Sequence, residues 1–192
     1  MVIRKFYIKI KKASFGKFCK TALLAGQGFY ISTTHEFHLF NLYKKLGFPV
    51  VKCVAYGEKL LFNAPVEGFI IQEAVVGEEY TVLFKKSPCM VQRTLISAYG
   101  ILSARLHLKG LISSIVRVTD LVCTRYSENF HKVKFVIIDR EKGPLEIESI
   151  TFTKVTDSLA SILVRHLIYC GEMKNEYFTM FFDSYFKELG GG

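Results

Sequence analysis

The sequence has no tryptophan and only four prolines, and no stretch approaches the roughly 18 uninterrupted apolar residues of a membrane-spanning helix. Its five cysteines, Cys19, Cys53, Cys89, Cys123 and Cys170, are an odd number, widely scattered, without a Cys-x-x-Cys pair. That spacing argues against a disulfide framework or a zinc knuckle and for a reducing compartment. No secretory leader is visible either, because "MVIRKFYIKIKKASFG" alternates charged and apolar residues instead of building an apolar run. The expected location is cytoplasmic. Acidic side chains are the scarcer charge, 17 against 26 Lys and Arg, for a net charge of +9. Such a balance suits an anionic partner, whether nucleotide phosphates, nucleic acid or an acidic lipid surface, without choosing among them. What the chain does have is apolar content: half of its 192 residues are hydrophobic and 14% aromatic, enough for a buried core and against disorder.

Periodicity orders the elements. "KFYIKIK" (5–11) alternates with period two, Phe6, Ile8 and Ile10 on one side and Tyr7, Lys9 and Lys11 on the other, as in a half-buried strand. A short helix is expected over 14–26. A second helix starts in "TTHEFHLFNLYKKLG", where Thr33 and Glu36 have capping-box spacing and Gly47 marks the stop. Three extended pieces follow, "VVKCVAYGE", "LLFNA" and "GFIIQEAVV", with "NAPVEG" as a turn between the last two. A helix runs from about Pro88 to Gly110, short β segments return at 115–123 and 133–138, and two helices close the chain, "DSLASILVRHLIYCG" and "NEYFTMFFDSYFKEL". This order predicts an α+β chain of two unequal lobes.

Phosphoryl transfer needs few parts: a strand lysine on the phosphates, a helix glutamate holding it, an aspartate on magnesium and a second aspartate orienting the acceptor hydroxyl. Lys9 lies in the first strand, Glu36 in the capped helix, and Asp139 ends the apolar strand "FVII". Each has a plainer reading, respectively a solvated lysine, a capping residue and a turn former.

The order and spacing of these pieces resemble the lipopolysaccharide core kinases, the heptose and Kdo kinase family, over nearly the whole chain. "YIKIKK" looks like the lysine strand, and "THEFHLFNLYKKLGFPVVKCVAYGE" like the glutamate helix and following turn. "GFIIQEAVVG" is similar to the strand and hinge under adenine, "ARLHLKGL" to the helix end before the catalytic loop, and "FVIIDREKG" to the metal strand. The resemblance implies a protein-kinase-like fold with an N-lobe over 1–75 and a helical C-lobe over 76–192. It implies ATP and Mg2+ as cofactors. Lys9 would contact phosphates, Glu36 would pair with it, Gln72, Glu73 and Ala74 would form the hinge, and Asp139 would bind metal.

Two departures accompany it. The chain begins a few residues before the lysine strand, so the strands and glycine-rich loop over the phosphates are expected to be missing. Where the family carries His-x-Asp after "LH-x-x-G", an ungapped alignment finds Ser113, Ser114 and Ile115. Ile115 cannot accept a proton. Asp120 then falls near the second metal position, or, with a five-residue insertion, at the catalytic base. The expected function is therefore a kinase fold that binds nucleotide weakly with reduced or no transfer activity, a pseudokinase. The alternatives are an active ATP-dependent kinase of a sugar or glycolipid hydroxyl with Asp120 as base, and a basic nucleic-acid-binding module. The last is disfavoured because the aromatics fall at helical, core-like spacing without an RNA-binding motif. An anionic glycolipid or the inner membrane face is the remaining expected partner surface.

Overall fold

The computed structural model describes residues 5–12, 32–61, 64–113, 115–125, 133–140, 144–171 and 173–190. The helix expected over 14–26 and the residues Ser114 and Gly143 lie outside these. Among the described residues the fold is mixed α and β, with two three-stranded sheets and five α-helices. Cα proximity divides the chain into two compact units, residues 1–74 with 139–145, and residues 75–138 with 146–192.

The first unit is an antiparallel sheet with one helix on it. Its strands are β1 (Phe6–Lys12), β2 (Cys53–Leu61) and β3 (Ala64–Glu73), ordered β1-β3-β2, and its helix is α1 (Ser32–Lys45). Leu39, Phe40 and Tyr43 of α1 are buried, as is Ile70 of β3, and Phe37 stacks on Tyr56 with ring centroids 3.9 Å apart. Gly47 ends the helix at φ +88°, a conformation open to glycine at no steric cost. Its N–H donates to Lys44 O, while the Phe48 N–H donates to Tyr43 O, which satisfies carbonyls the helix end would leave orphaned.

Three expectations change here. β1 alternates as read, but its apolar side faces solvent and Lys9 lies on the α1 side. Cys53 to Leu61, drawn from both "VVKCVAYGE" and "LLFNA", form one strand, and most of "NAPVEG" lies inside β3, since Leu61 pairs with Ala64; Phe62 and Asn63 lie outside the described residues. A register shift between Lys59 and Leu60 accommodates the segment around Pro65. Pro65 lies beyond the β1 pairing, which ends at Glu67, so its missing N–H costs the central strand no bond on that side. The capping box at Thr33 does not form: its Oγ1 has no hydrogen-bond partner, and Glu36 turns elsewhere.

The second unit holds β4 (Glu78–Glu79), β5 (Leu121–Arg125) and β6 (Lys134–Ile137), antiparallel in that order, with α2 (Tyr80–Lys86), α3 (Cys89–Leu108), α4 (Phe152–Cys170) and α5 (Asn175–Gly190). The β segment expected over 115–123 begins only at Leu121, after a 3-10 turn at Val118–Asp120. Helix α4 starts five residues earlier than read, where Thr151 Oγ1 accepts from the Lys154 N–H and caps it. Tyr80, Phe84, Tyr99, Phe181 and His166 form an aromatic cluster at the centre of the core. Helices α3 and α5 touch most closely at Gly100, where an added Cβ would meet the Phe181 carbonyl oxygen.

His107, at the C-terminal end of α3, ties that helix to two others. Ser158 Oγ donates to Ile112 O at 2.9 Å, so the 2.9 Å contact between Ser158 Oγ and His107 Nε2 has the ring as donor. His107 Nδ1 then accepts from Tyr185 OH at 2.7 Å. Burial holds this imidazole neutral, with its pKa lowered to about 4.

Candidate functional site

Within the first unit, the Lys9 ammonium lies 3.0 Å from Glu36 Oε2 and 3.0 Å from Asp139 Oδ1. Residues 27 and 130 positions away in sequence thus meet on one cation. Lys9 reaches them because it occupies the inner face of β1, opposite Ile70. Glu36 projects from the first turn and a half of α1 and is 1% exposed. Its second oxygen accepts from the Arg140 backbone N–H at 3.4 Å. Burial raises the Glu36 pKa, the Lys9 charge and hydrogen bond pull it down, and the negative Asp139 raises it. Burial wins that balance, and Glu36 sits above the ordinary carboxylate range.

Arg140 follows Asp139 directly. Its guanidinium is buried and lies over the Tyr43 ring at 5.6 Å, within cation–π range. The residue after Asp139 is thereby seated on α1.

Gln72 and Glu73, expected with Ala74 to form a hinge, end β3, and Ala74 follows it. The Glu73 N–H donates to Lys52 O and the Ala74 N–H to Lys5 O, each at 2.8 Å, so both amides are already used by the sheet. Gln72 pairs with Tyr7 and so shares the Lys9 face of the sheet. Its Nε2 is shielded from solvent and lies at the Cys53 thiol, a weak acceptor, with no other partner. A buried donor with only a thiol to bond is the kind of group a bound polar ligand would satisfy better. For a magnesium ion the first unit offers Asp139, one carboxylate. That fits Mg2+, which binds through one or two carboxylates together with phosphate oxygens. No cluster of three or more His, Cys, Asp and Glu side chains is present among the described residues.

Asp120 lies in the second unit and is 1% exposed. Its carboxylate accepts from Arg117 Nε at 3.0 Å, from the Arg117 backbone N–H at 3.2 Å and from Thr119 Oγ1 at 3.1 Å. Arg117 Nη2 also lies 3.0 Å from it. The Asp120 carbonyl accepts from the Ile138 N–H at 2.8 Å, which registers the loop against β6.

Sequence reasoning missed the carboxylate that does reach this loop. Glu148 accepts from the Ser113 backbone N–H at 2.7 Å and from Ser113 Oγ at 2.6 Å, with Lys154 Nζ 3.5 Å away. Partial burial would raise its pKa, but the Ser113 hydrogen bonds and the Lys154 charge outweigh it and leave the pKa lowered. Only the fold joins residues 113 and 148, and no local pattern announced the contact.

No family model matches the sequence, and no curated protein does. Among solved structures the fold is similar to that of WaaP in complex with acyl carrier protein, with a TM-score of 0.67 at 16% sequence identity. The match covers 96% of this chain and 70% of that one. At that identity the likeness shows the fold alone: the architecture is similar to that of WaaP.

Proposed function

We propose that this chain is a kinase-fold protein of the lipopolysaccharide-kinase type that binds a nucleotide weakly and has reduced or no phosphotransferase activity. The observation that carries the reading is the placement of Lys9 at 3.0 Å from both Glu36 and Asp139. Three separate plain readings of these residues do not account for their meeting. In this reading Lys9 neutralises phosphate oxygens, Glu36 holds the ammonium in place and Asp139 binds Mg2+. The hinge amides spent on Lys5 and Lys52 remove two donors for adenine, which favours a weak grip. Magnesium bound with the nucleotide would neutralise phosphate charge.

The loss of transfer activity is argued from Ile115 and Asp120. A base must reach the proton it removes. Asp120 is buried and its oxygens accept from Arg117 and Thr119, so its carboxylate is occupied with holding the loop. If Asp120 were instead the base of an active sugar or glycolipid kinase, Asp120→Asn would lower turnover by roughly 10²–10⁴-fold. The proposed reading expects little or no turnover in wild type and no further fall of that size on the substitution. Partners consistent with this reading are a nucleotide, an anionic glycolipid or membrane surface and, by likeness to the WaaP complex, an acyl carrier protein.

Calorimetric titration with ATP and Mg2+ tests the nucleotide site. Wild type is expected to bind, and Lys9→Ala and Asp139→Ala are each expected to abolish the heat signal. Binding that survives both substitutions, or that wild type never shows, rejects a nucleotide site here.

A further inference from the structure

We propose that the outer face of the β1-β3-β2 sheet docks onto an anionic lipid bilayer. This deepens the reading of an anionic membrane-side partner and does not depend on nucleotide binding. Residues directly paired in antiparallel strands share a face, so the register lays this surface out in rows. Lys12, Glu67 and Lys59 form the first row, Ile10, Phe69 and Gly57 the second, Ile8, Ile71 and Ala55 the third, and Phe6 with Glu73 the last. Helix α1 covers the opposite face through Phe37 and Tyr56. On the outer face Phe6 is 48% exposed, Ile8 64%, Ile10 59% and Phe69 39%. A contiguous apolar surface of this kind, on the order of a few hundred Å2, marks an interaction site in proteins that are otherwise well covered.

Charge and size select the occupant. The apolar rows end in a Lys–Glu–Lys row, whose Lys12 side chain is 75% exposed, and in Phe6 and Glu73 at the other end. There Glu73 is paired with Lys52 at 3.2 Å. The rim is thus net positive at the Lys12–Glu67–Lys59 end and charge-paired at the other, on a chain of net charge +9. An acidic lipid surface attracts such a rim within a Debye length. A second copy of the chain would bring like charges together, which is unfavourable across paired strands. Few apolar side chains are offered compared with the roughly 20–30 residues of a stable protein interface, whereas a bilayer needs only shallow insertion of Phe and Ile between headgroups.

The full chain should float with phosphatidylcholine vesicles containing a quarter phosphatidylglycerol and bind phosphatidylcholine alone at least tenfold more weakly. Ile8→Asp with Ile10→Asp removes the apolar contact, and Lys12→Glu with Lys59→Glu reverses the rim. Each pair is expected to reduce vesicle binding tenfold or more while thermal melting stays within a few degrees. The charge-reversal pair keeps the test valid if the aspartate pair fails to fold. No binding to the phosphatidylglycerol vesicles, or binding unchanged in a folded variant, overturns the proposal. So does a wild-type dimer in analytical ultracentrifugation that the aspartate pair converts to monomer, since the face would then belong to a second copy. Parallel ATP titrations separate the two readings: vesicle binding without ATP binding removes the nucleotide site alone, and ATP binding without vesicle binding removes the docking face alone.

Discussion

Lys9 is a single cation set between two carboxylates, one of them nearly inaccessible to water. Replacing it with methionine keeps the stem and removes the charge. Glu36 would then be a buried carboxyl with Asp139 as its nearest charge, and its already raised pKa would rise further. Breaking one side of a buried ion pair costs about 3–5 kcal/mol. Because Lys9 is 25% exposed and solvent screens part of the interaction, about 2–3 kcal/mol is expected for Lys9→Met in urea denaturation at pH 7.5. Adding Glu36→Gln should return part of that loss, since the amide needs no cation. The identity and spacing of Lys9, Glu36 and Asp139 were legible in the sequence. The competing role of Glu36 as a cap was equally legible, and only the three-dimensional placement decides against it. Arg140 and Glu148 were not legible as contacts, because each acts on a residue far away in sequence, Tyr43 and Ser113 respectively.

At the scale of elements, long periodic segments were read well and short ones poorly. Helices α3, α4 and α5 each carry several turns of apolar repetition, which survives small errors at their ends. Helix α2, "YTVLFKK", has the β-branched and aromatic content of a strand. It is helical because Tyr80, Leu83 and Phe84 all bury on one side of it, so packing overrides propensity. Alternation in β1 revealed a period of two but not which side meets the helix, since burial depends on where α1 returns. Close helix contact yields a direct prediction. Gly100→Ala would drive a methyl group into the Phe181 backbone carbonyl, which no rotamer change relieves. Overpacking of this type costs typically 1–3 kcal/mol, and the midpoint of urea unfolding should fall accordingly. Ala104, one turn further along α3, is already an alanine and buried, so a general preference for small residues along the helix does not explain the effect at Gly100. Tyr185→Phe removes the hydroxyl that donates to His107 and should cost about 1–2 kcal/mol in the same measurement.

For the whole molecule, acid sensitivity follows from two neutral histidines. Burial lowers the pKa of both His107 and His166 from an ordinary 6.5 to about 4. In the unfolded chain each takes a proton as the pH drops below about 6.5, while the folded chain resists until about 4. The unfolded state therefore binds more protons in this window, and stability falls as pH falls from 6.5 toward 4. At 1.36 kcal/mol per pKa unit the full effect is on the order of 3 kcal/mol per histidine. Urea midpoints measured at pH 7.5, 6 and 4.5 should decline, and His107→Gln should flatten the slope. A midpoint that rises on acidification would contradict the neutral, buried assignment.

The chain passes from one unit to the other three times, because Asp139 through Leu145 belong with the first unit although the residues on both sides belong with the second. A gene fragment stopped at Ala74 would therefore encode every strand and helix described for the first unit but neither Asp139 nor the arginine seated on Tyr43. Such a half-molecule would present Glu36 with one partner instead of two. Separately expressed halves could restore the missing carboxylate only by non-covalent reassembly, so the interrupted pedigree of this unit makes domain excision a poor route to a working fragment.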